Sequence, residues 1–267
     1  MNIKYTAFLD ILGFSEYMKA NINSEEKAAQ FYMSLKYAVD KYLDDFKKEN
    51  IFKKLSLEVT YLDKIQLEYC WISDTFVVSI KYELDGMKED IYLKPTMIYY
   101  ISSIVSQINH FFVREHQLCL RGAITSKFTY LKDRIILGEG IVDAHYLESK
   151  IASTPRIIFA SDIISNEINN IFNEDSNSCV FEDCDGWYCV DFFNLLKENP
   201  PVIYVEKNPQ NTNKSQDELL EEVFTETMEK YKDMINENLF KHANNLAVLT
   251  KYLWFKKYYD MRNKNEK

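Results

Sequence analysis

Two aspartates of this sequence lie within or between apolar runs, where a carboxylate needs a cation or a hydrogen-bond donor beside it. Asp10 lies inside the apolar run 8–12, and Asp74 fills the short break between the segments 65–73 and 75–82. A buried carboxylate is unfavourable unless a cation compensates its charge. Divalent cations prefer oxygen ligands, and a pair of them stabilises the attacking and leaving oxygens in phosphoryl transfer. The aspartates therefore predict a two-metal site, with simple turn chemistry as the alternative.

Arg121 and Gly13 extend this prediction. The basic residues of the chain are mostly lysine, so an arginine at a strand start indicates a need for the planar, forked guanidinium. A salt bridge at the strand edge is the alternative for Arg121. Gly13 closely follows Asp10, and a glycine there lets backbone amides approach a triphosphate. The sequence contains no G-x-S-x-G, Walker or G-x-G-x-x-G motif, and its histidines lack metal-ligand spacing.

The hydrophobic periods predict the elements that position these residues. Apolar or β-rich runs predict strands, and helical spacing after the start signal Asn23-Ser24 and again from Lys94 predicts two long helices. The predicted order is strand 5–11, a helix of about 25 residues from Glu25, β-rich segments 55–62, 65–73 and 75–82, helix 94–116 and strand 118–125. This order predicts an α+β fold with a ferredoxin-like βαββαβ core. In that fold Asp10, Asp74 and the start of the strand carrying Arg121 share one sheet edge.

Additional elements follow the core. The segments 134–137 and 155–160 read as strands that flank a helix over 142–150. A polar loop at 207–214 precedes a capping box, formed by Ser215 and Glu218. Amphipathic spacing then predicts helices over 220–239 and 246–259, which pack either on the domain or on a partner copy. We therefore predict a catalytic domain over 1–206 and a helical extension over 207–267.

Composition narrows the function classes. The chain has 267 residues, 46% hydrophobic residues and a formal net charge of −9. These values exclude global disorder and argue against a DNA-binding protein. No signal peptide is evident, and polar residues interrupt the apolar stretch 95–113, so we expect a cytoplasmic protein with a buried amphipathic helix there rather than a membrane partner. Five cysteines without a C-x-x-C pair are typical of a reduced protein, and the even spacing of Cys179, Cys184 and Cys189 leaves a zinc site as an alternative.

An ordered set of motifs resembles one enzyme family. The motifs are F-L-D-I-L-G-F (8–14), I-S-D-T (72–75), L-R-G-A-I (120–124), G-E-G-I-V-D-A-H-Y-L-E (138–148), P-R-I-I (155–158) and K-Y-L-W-F (251–255). Together they resemble the class III nucleotide cyclases, and within these the divergent bacterial branch that includes the Pycsar pyrimidine cyclases of antiphage defence. The resemblance implies a βαββαβ core, a head-to-tail homodimer and two Mg²⁺ or Mn²⁺ ions. It also implies that Asp10, Asp74 and the Ile11 carbonyl are metal ligands.

The sequence departs from the purine cyclases of this family at the residues that contact the base. The two positions that contact a purine there hold Cys70 and Ile135, which cannot form the same polar contacts. The positions of the usual transition-state Asn and Arg hold Val142 and Tyr146. Arg121 is our candidate for replacing the missing charge, and loss of activity is the alternative.

The resemblance, together with these departures, implies a pyrimidine nucleotide cyclase that converts UTP, or CTP, into the 3′,5′-cyclic monophosphate and pyrophosphate. Gly13 and Phe14 would line the phosphate-binding turn, and the cyclic product would activate a separate effector. One alternative is a palm-fold oligonucleotide cyclase or polymerase, although the chain lacks a G-G-D-E-F-like signature. The other is a catalytically inactive nucleotide sensor of the same fold.

Overall fold

The fold is a mixed sheet with helices on both faces. The computed structural model describes residues 2–48, 65–83, 93–133, 135–164, 168, 170, 178–201, 204 and 214–263. The strands in these ranges are β1 (Asn2–Leu12), β2 (Ile65–Ile72), β3 (Thr75–Glu83), β4 (Cys119–Thr125), β5 (Tyr130–Lys132), β6 (Ile135–Leu137), β7 (Ile157–Phe159), β8 (Val180–Glu182) and β9 (Tyr188–Val190). The helices are α1 (Phe14–Asn21), α2 (Glu25–Lys48), α3 (Leu93–His116), α4 (Glu139–Lys150), α5 (Phe192–Glu198), α6 (Gln216–Lys241) and α7 (Leu246–Asn263).

The strand order confirms the predicted α+β fold with a ferredoxin-like core. The sheet runs β2-β3-β1-β4-β7-β9-β8, and the first four of these strands pair antiparallel. Chain order β1, α2, β2, β3, α3, β4 combined with this sheet order is the split βαβ arrangement. Beyond the core, β7 adds parallel to β4, and β5 pairs with β6 in a separate hairpin.

Several predicted boundaries differ from the structure. The segment 55–62, Arg134 and residues 207–213 of the predicted polar loop lie outside the described residues. The helix predicted over 142–150 begins earlier, at Glu139, directly after a closely packed glycine. A Cβ on Gly138 would meet the Phe128 carbonyl oxygen at 2.3 Å, and that oxygen accepts the Gly140 N–H. Glycine is a poor helix former, so the sequence pattern predicts a later start. The short α1, β5, β8, β9 and α5 were not predicted.

The two faces of the sheet have different roles, because side chains alternate along a strand. Leu9 and Ile11 of β1 point into the large core that α2 and α3 cover. Phe8 points to the opposite face, where it packs with residues of α4 and the β5–β6 hairpin. Asp10 follows the same alternation, so its carboxylate lies on the face that α4 covers.

The helix α3 is more deeply buried than the predicted amphipathic helix. Residues 100–113 are all buried, polar ones included. The sheet covers one side of α3 and α6 covers another, so little of the helix is left for solvent. Tyr231 of α6 and Phe255 of α7 are fully buried in the same core. The described part of the C-terminal segment therefore packs on its own domain, and the predicted boundary after 206 stays a prediction.

The predicted capping box at the start of α6 is present, with Ser215 and Glu218 each bonding the backbone of the other.

Across the described ranges, none of the helices combines the length and the apolar character that a membrane span requires.

Candidate active site

The register of the sheet brings Asp10 and Asp74 to the same edge. Asp10 is the partner of Thr75 in the pairing of β1 with β3, and Asp74 lies in the two-residue loop between β2 and β3. The backbone N–H of Ile11 donates to the Asp74 carbonyl oxygen over 2.9 Å. Both aspartates are half-buried. The role of the two carboxylates and of the Ile11 carbonyl as metal ligands stays a prediction.

The loop that carries Asp74 has a defined conformation. Its first residue, Ser73, adopts a left-handed backbone with φ of 57°, as two-residue hairpin loops require. The indole N–H of Trp71 donates to the Ser73 carbonyl oxygen over 2.5 Å. These contacts fix the position of Asp74 relative to β1.

Arg121 lies between two carboxylates on the α4 face of the sheet. It is the register partner of Asp10, and its Nε–H donates to Asp10 Oδ2 over 2.8 Å. One terminal nitrogen of the guanidinium lies 2.8 Å from Glu148 Oε1. The salt-bridge interpretation of Arg121 is thus confirmed, and its role in supplying the missing charge stays a prediction.

Glu148 is the residue of this site that sequence analysis missed. Its side chain is only 4% exposed. Burial raises the pKa of Glu148 above its ordinary value, Arg121 opposes the rise, and the nearby carboxylates of Asp10 and Asp74 strengthen it. Asp10 and Glu148 thus share Arg121, and Asp74 adds a third carboxylate close enough to act on Glu148.

A signal for Glu148 was present in the sequence. Gly140, Ala144 and Glu148 are the buried residues of α4, and their spacing of four places them on one helical face. A carboxylate on a face otherwise made of small residues is rarely buried without a partner. Extending the helix back to Glu139 would have exposed this pattern.

The oxygen donors at this edge fit a hard divalent cation that is shared with substrate phosphates. Mg²⁺ is commonly held by one or two carboxylates together with phosphate oxygens. Arg121 occupies Oδ2 of Asp10, and within the described ranges Oδ1 accepts no hydrogen bond, so it can bind a cation. No group of three or more His, Cys, Asp or Glu side chains in the described residues is arranged to hold a metal alone. A cation bound by Asp10 and Asp74 would therefore need additional oxygens from the substrate.

The turn after β1 has the backbone that its glycine suggests. Gly13 is exposed, has φ of 79° and precedes the first residue of α1. A Cβ there would meet its nearest neighbour, the Leu118 side chain, at 3.6 Å, so the positive φ rather than space favours glycine. The Phe14 side chain is buried against Phe31. Phe14 can therefore face a phosphate only through its backbone.

The two residues predicted to contact the base have different surroundings. Cys70 is 5% exposed and packs with Val77 and Leu131 beneath the β5–β6 hairpin. Ile135 is 55% exposed on β6 of that hairpin. The structure thus brings Cys70 and Ile135 into one region, with only Ile135 open to solvent in a single protomer.

Six large apolar side chains on or next to this hairpin and on α4 are exposed. We call them the hairpin–α4 surface; its members are Phe128, Tyr130, Ile135, Leu137, Val142 and Tyr146. Tyr130 and Leu137 are cross-strand partners, and Val142 and Tyr146 are one helical turn apart on α4. Large exposed apolar patches commonly mark an interaction site. Val142 and Tyr146, at the positions where the sequence lacks the Asn and Arg of the cyclases that it resembles, are thus exposed on α4.

The three evenly spaced cysteines do not share an environment. Cys179 and Cys189 are buried and Cys184 is exposed. Burial raises the pKa of the Cys179 and Cys189 thiols above the ordinary value. Cys179 packs in the large core, whereas Cys189 packs with Ala144 and Ala152 on the α4 side of the sheet, so the three thiols do not face one site.

Comparisons with known proteins give weak likenesses. No family model matches the chain, and no curated protein matches it. One similar solved structure is the non-canonical dimeric guanylyl cyclase domain of the RhoGC fusion protein from the aquatic fungus Blastocladiella emersonii. It is 12% identical, with a TM-score of 0.35, covering 71% of this chain and 97% of that one.

A second similar structure is the catalytic core of a rhodopsin-guanylyl cyclase with converted specificity in complex with ATPαS. It has the same identity and TM-score and covers 72% of this chain and 97% of its own. Because similarity at this level does not establish a common fold, we take the fold and the site from the topology and geometry of this chain.

Proposed function

We propose that this protein is a nucleotide cyclase that converts a pyrimidine nucleoside triphosphate into its 3′,5′-cyclic monophosphate. The observation that carries the proposal is the Asp10–Asp74 pair at one sheet edge, with Arg121 bound to Asp10. A pair of strand-end carboxylates beside a fixed cation suits phosphoryl transfer, which depends on positioning and electrostatic stabilisation. The cyclase motifs of the sequence separate this reaction from other phosphoryl transfers.

In the proposed reaction, the 3′-oxygen of the bound nucleotide forms a bond to its own α-phosphorus. The bond from the α-phosphorus to the oxygen that bridges the α- and β-phosphates breaks, the 3′-hydroxyl proton passes to solvent, and pyrophosphate leaves. Mg²⁺ or Mn²⁺ held by Asp10 and Asp74 would lower the pKa of the hydroxyl and neutralise charge on the triphosphate. Arg121 orients Asp10 through Oδ2 and leaves Oδ1 available to the cation.

Base choice is the finer part of the proposal. A site that lacks polar partners for a base gains little from the base edges and discriminates by shape. Cys70 and Ile135 supply a thiol and an alkyl group where purine cyclases carry polar contacts, so we favour the smaller pyrimidines, UTP before CTP. The cyclic product would then serve as a second messenger for a separate effector in antiphage defence, as the motif resemblance implies.

A homodimer is the second part of the proposal. The hairpin–α4 surface is apolar and exposed, and two of its members, Val142 and Tyr146, lie on the helix whose buried face carries Glu148. A two-fold pair built on this surface would cover these six side chains and bring each site against the partner protomer.

The reaction is tested by incubating the protein with each of the four ribonucleoside triphosphates and Mn²⁺, and identifying the products by chromatography and mass spectrometry. We expect cyclic UMP or cyclic CMP and pyrophosphate. Robust cyclic AMP or cyclic GMP would refute the base preference. Linear or oligomeric products would instead identify a palm-fold polymerase or oligonucleotide cyclase, and nucleotide binding without turnover would identify a sensor.

The dimer is tested by replacing Tyr146 with Glu and measuring mass by sedimentation. A charge in the hairpin–α4 surface should convert dimer to monomer and reduce turnover, because a buried unpaired charge opposes association. Met33→Glu, on the exposed side of α2, is the matched control and should leave both unchanged. A wild-type protein that is monomeric during turnover would contradict this arrangement.

A further inference from the structure

Near the start of β4, the backbone N–H of Leu120 has no neighbouring strand to accept its hydrogen bond. In β4, the N–H of Gly122 donates to the Arg156 carbonyl oxygen on the β7 side over 3.0 Å. Because N–H groups alternate in direction along a strand, the N–H of Leu120 points to the same side. There β7 begins only at Ile157, which is the partner of Gly122. Leu120 therefore lies beyond the reach of β7.

A side chain of α3 replaces the missing strand. The N–H of Leu120 donates to Oδ1 of Asn109 over 2.8 Å, in a fully buried setting. A buried N–H without a partner would cost about 1–3 kcal/mol. Asn109 thus holds β4 at the residue directly before Arg121.

The C-terminal helix α6 in turn orients Asn109. The amide Nδ2–H of Asn109 donates to the Tyr231 hydroxyl over 2.7 Å, which leaves Oδ1 directed at Leu120. The Tyr231 hydroxyl also lies 2.8 Å from Nδ1 of His110, and Nε2 of His110 lies 2.9 Å from Oγ of Ser106.

The hydrogen bonds of Tyr231 therefore continue from Asn109 to His110 and on to Ser106. Burial lowers the pKa of His110 to about 3, so its ring is neutral at physiological pH. A neutral imidazole donates through one ring nitrogen and accepts through the other.

From these contacts we propose that Asn109 and Tyr231 are positioning residues that act through Arg121. They fix the start of β4, so that the Arg121 guanidinium meets both Asp10 and Glu148. The helix α6, which begins more than ninety residues after β4 ends, is thereby part of the support of the site. The catalytic consequence rests on the proposed function, whereas the restraint on β4 does not.

The test compares two buried tyrosine hydroxyls in one aromatic core. Tyr231→Phe removes the hydroxyl that orients Asn109 and keeps the ring. Tyr258→Phe is the matched control, because the Tyr258 hydroxyl is also buried and donates to Asp191 over 2.8 Å, on α7 and away from β4. The measurements are kcat and KM for the pyrimidine triphosphate, and hydrogen exchange of the peptide 119–125.

We expect Tyr231→Phe to lower kcat about tenfold, equivalent to one lost hydrogen bond, with KM changed less than about twofold. Exchange of 119–125 should become faster in the same variant. Tyr258→Phe should lower the melting temperature similarly but leave kcat and this exchange at wild-type values. Asn109→Ala, which removes the acceptor itself, should exceed Tyr231→Phe in both effects.

Equal losses of kcat in the two tyrosine variants, or faster exchange of 119–125 without a loss of kcat, would overturn the positioning role. If the wild-type protein turns over no triphosphate, the proposed function fails, and the exchange of 119–125 still decides whether Tyr231 restrains β4. Unchanged exchange in Tyr231→Phe would overturn the restraint as well.

Discussion

Replacing Arg121 with Met removes the cation that two carboxylates share. In the structure the guanidinium lies 2.8 Å from Asp10 Oδ2 and 2.8 Å from Glu148 Oε1. Removing one partner of a buried ion pair costs about 3–5 kcal/mol. The Glu148 side chain is 4% exposed but that of Asp10 is 19% exposed, so water can recover part of the loss at Asp10. We expect Arg121→Met to lower the free energy of unfolding by about 3 kcal/mol at pH 8.

The loss should depend on pH through Glu148. Burial raises the pKa of Glu148, and Arg121 opposes that rise. Without Arg121 the folded-state pKa moves further above the unfolded value. A carboxyl with a raised folded-state pKa contributes stability below its unfolded pKa, and that stability is lost as pH rises through the folded-state pKa. The difference between wild type and Arg121→Met should therefore be smaller at pH 5 than at pH 8.

Urea unfolding followed by circular dichroism at pH 5, 7 and 8 measures this difference. Adding Glu148→Gln to Arg121→Met removes the stranded charge, so the double variant should recover much of the stability and lose the pH dependence. An equal loss at pH 5 and pH 8, or a double variant as unstable as Arg121→Met alone, would refute the shared-arginine interpretation of this edge.

Two further predictions concern the scaffold. Burial lowers the pKa of His110 to about 3, so between pH 7 and pH 5 the unfolded chain binds a proton that the folded protein does not. His110 alone should therefore reduce the free energy of unfolding by about 2 kcal/mol over this range. Urea unfolding that shows no such decline would contradict the burial of a neutral His110. A Cβ on Gly122 would meet the Phe8 carbonyl oxygen at 2.3 Å. Gly122→Ala should therefore lower both the melting temperature and the turnover. Wild-type values of both would contradict the close approach of β4 to β1.

The sequence predicts the Asp10–Asp74 edge because that juxtaposition follows from chain order alone. Once a strand, helix, strand, strand order is recognised, the end of the first strand and the tip of the following hairpin meet at one edge. The alternation of Leu9 and Asp10 along β1 then predicts which face of the sheet Asp10 occupies, without any knowledge of side-chain packing. The start of β4, which carries Arg121, is predicted at the same edge for the same reason.

Contacts between distant elements could not be predicted in this way. The Asn109–Tyr231 hydrogen bond joins residues 122 positions apart, and helical spacing in α3 carries no information about which helix covers it. The helix was predicted to be buried, but not that Asn109 and His110 would meet Tyr231 of α6 while Gln107 bonds the Asn199 carbonyl. Glu148 is an intermediate case, because its helix was recognised but the buried face defined by Gly140 and Ala144 was not.

The most direct test of the central claim measures cyclic pyrimidine nucleotide formed from UTP and from CTP with Mn²⁺ by wild type, Asp10→Asn, Asp74→Asn and the matched control Asp260→Asn. Asp260 is a surface carboxylate on α7 that pairs with Lys256. We predict equal turnover by wild type and Asp260→Asn, and a loss of at least about a hundredfold in Asp10→Asn and Asp74→Asn, with unchanged circular dichroism spectra. Cyclic nucleotide formation that survives in either site variant would contradict a carboxylate-bound, metal-dependent cyclase at this edge.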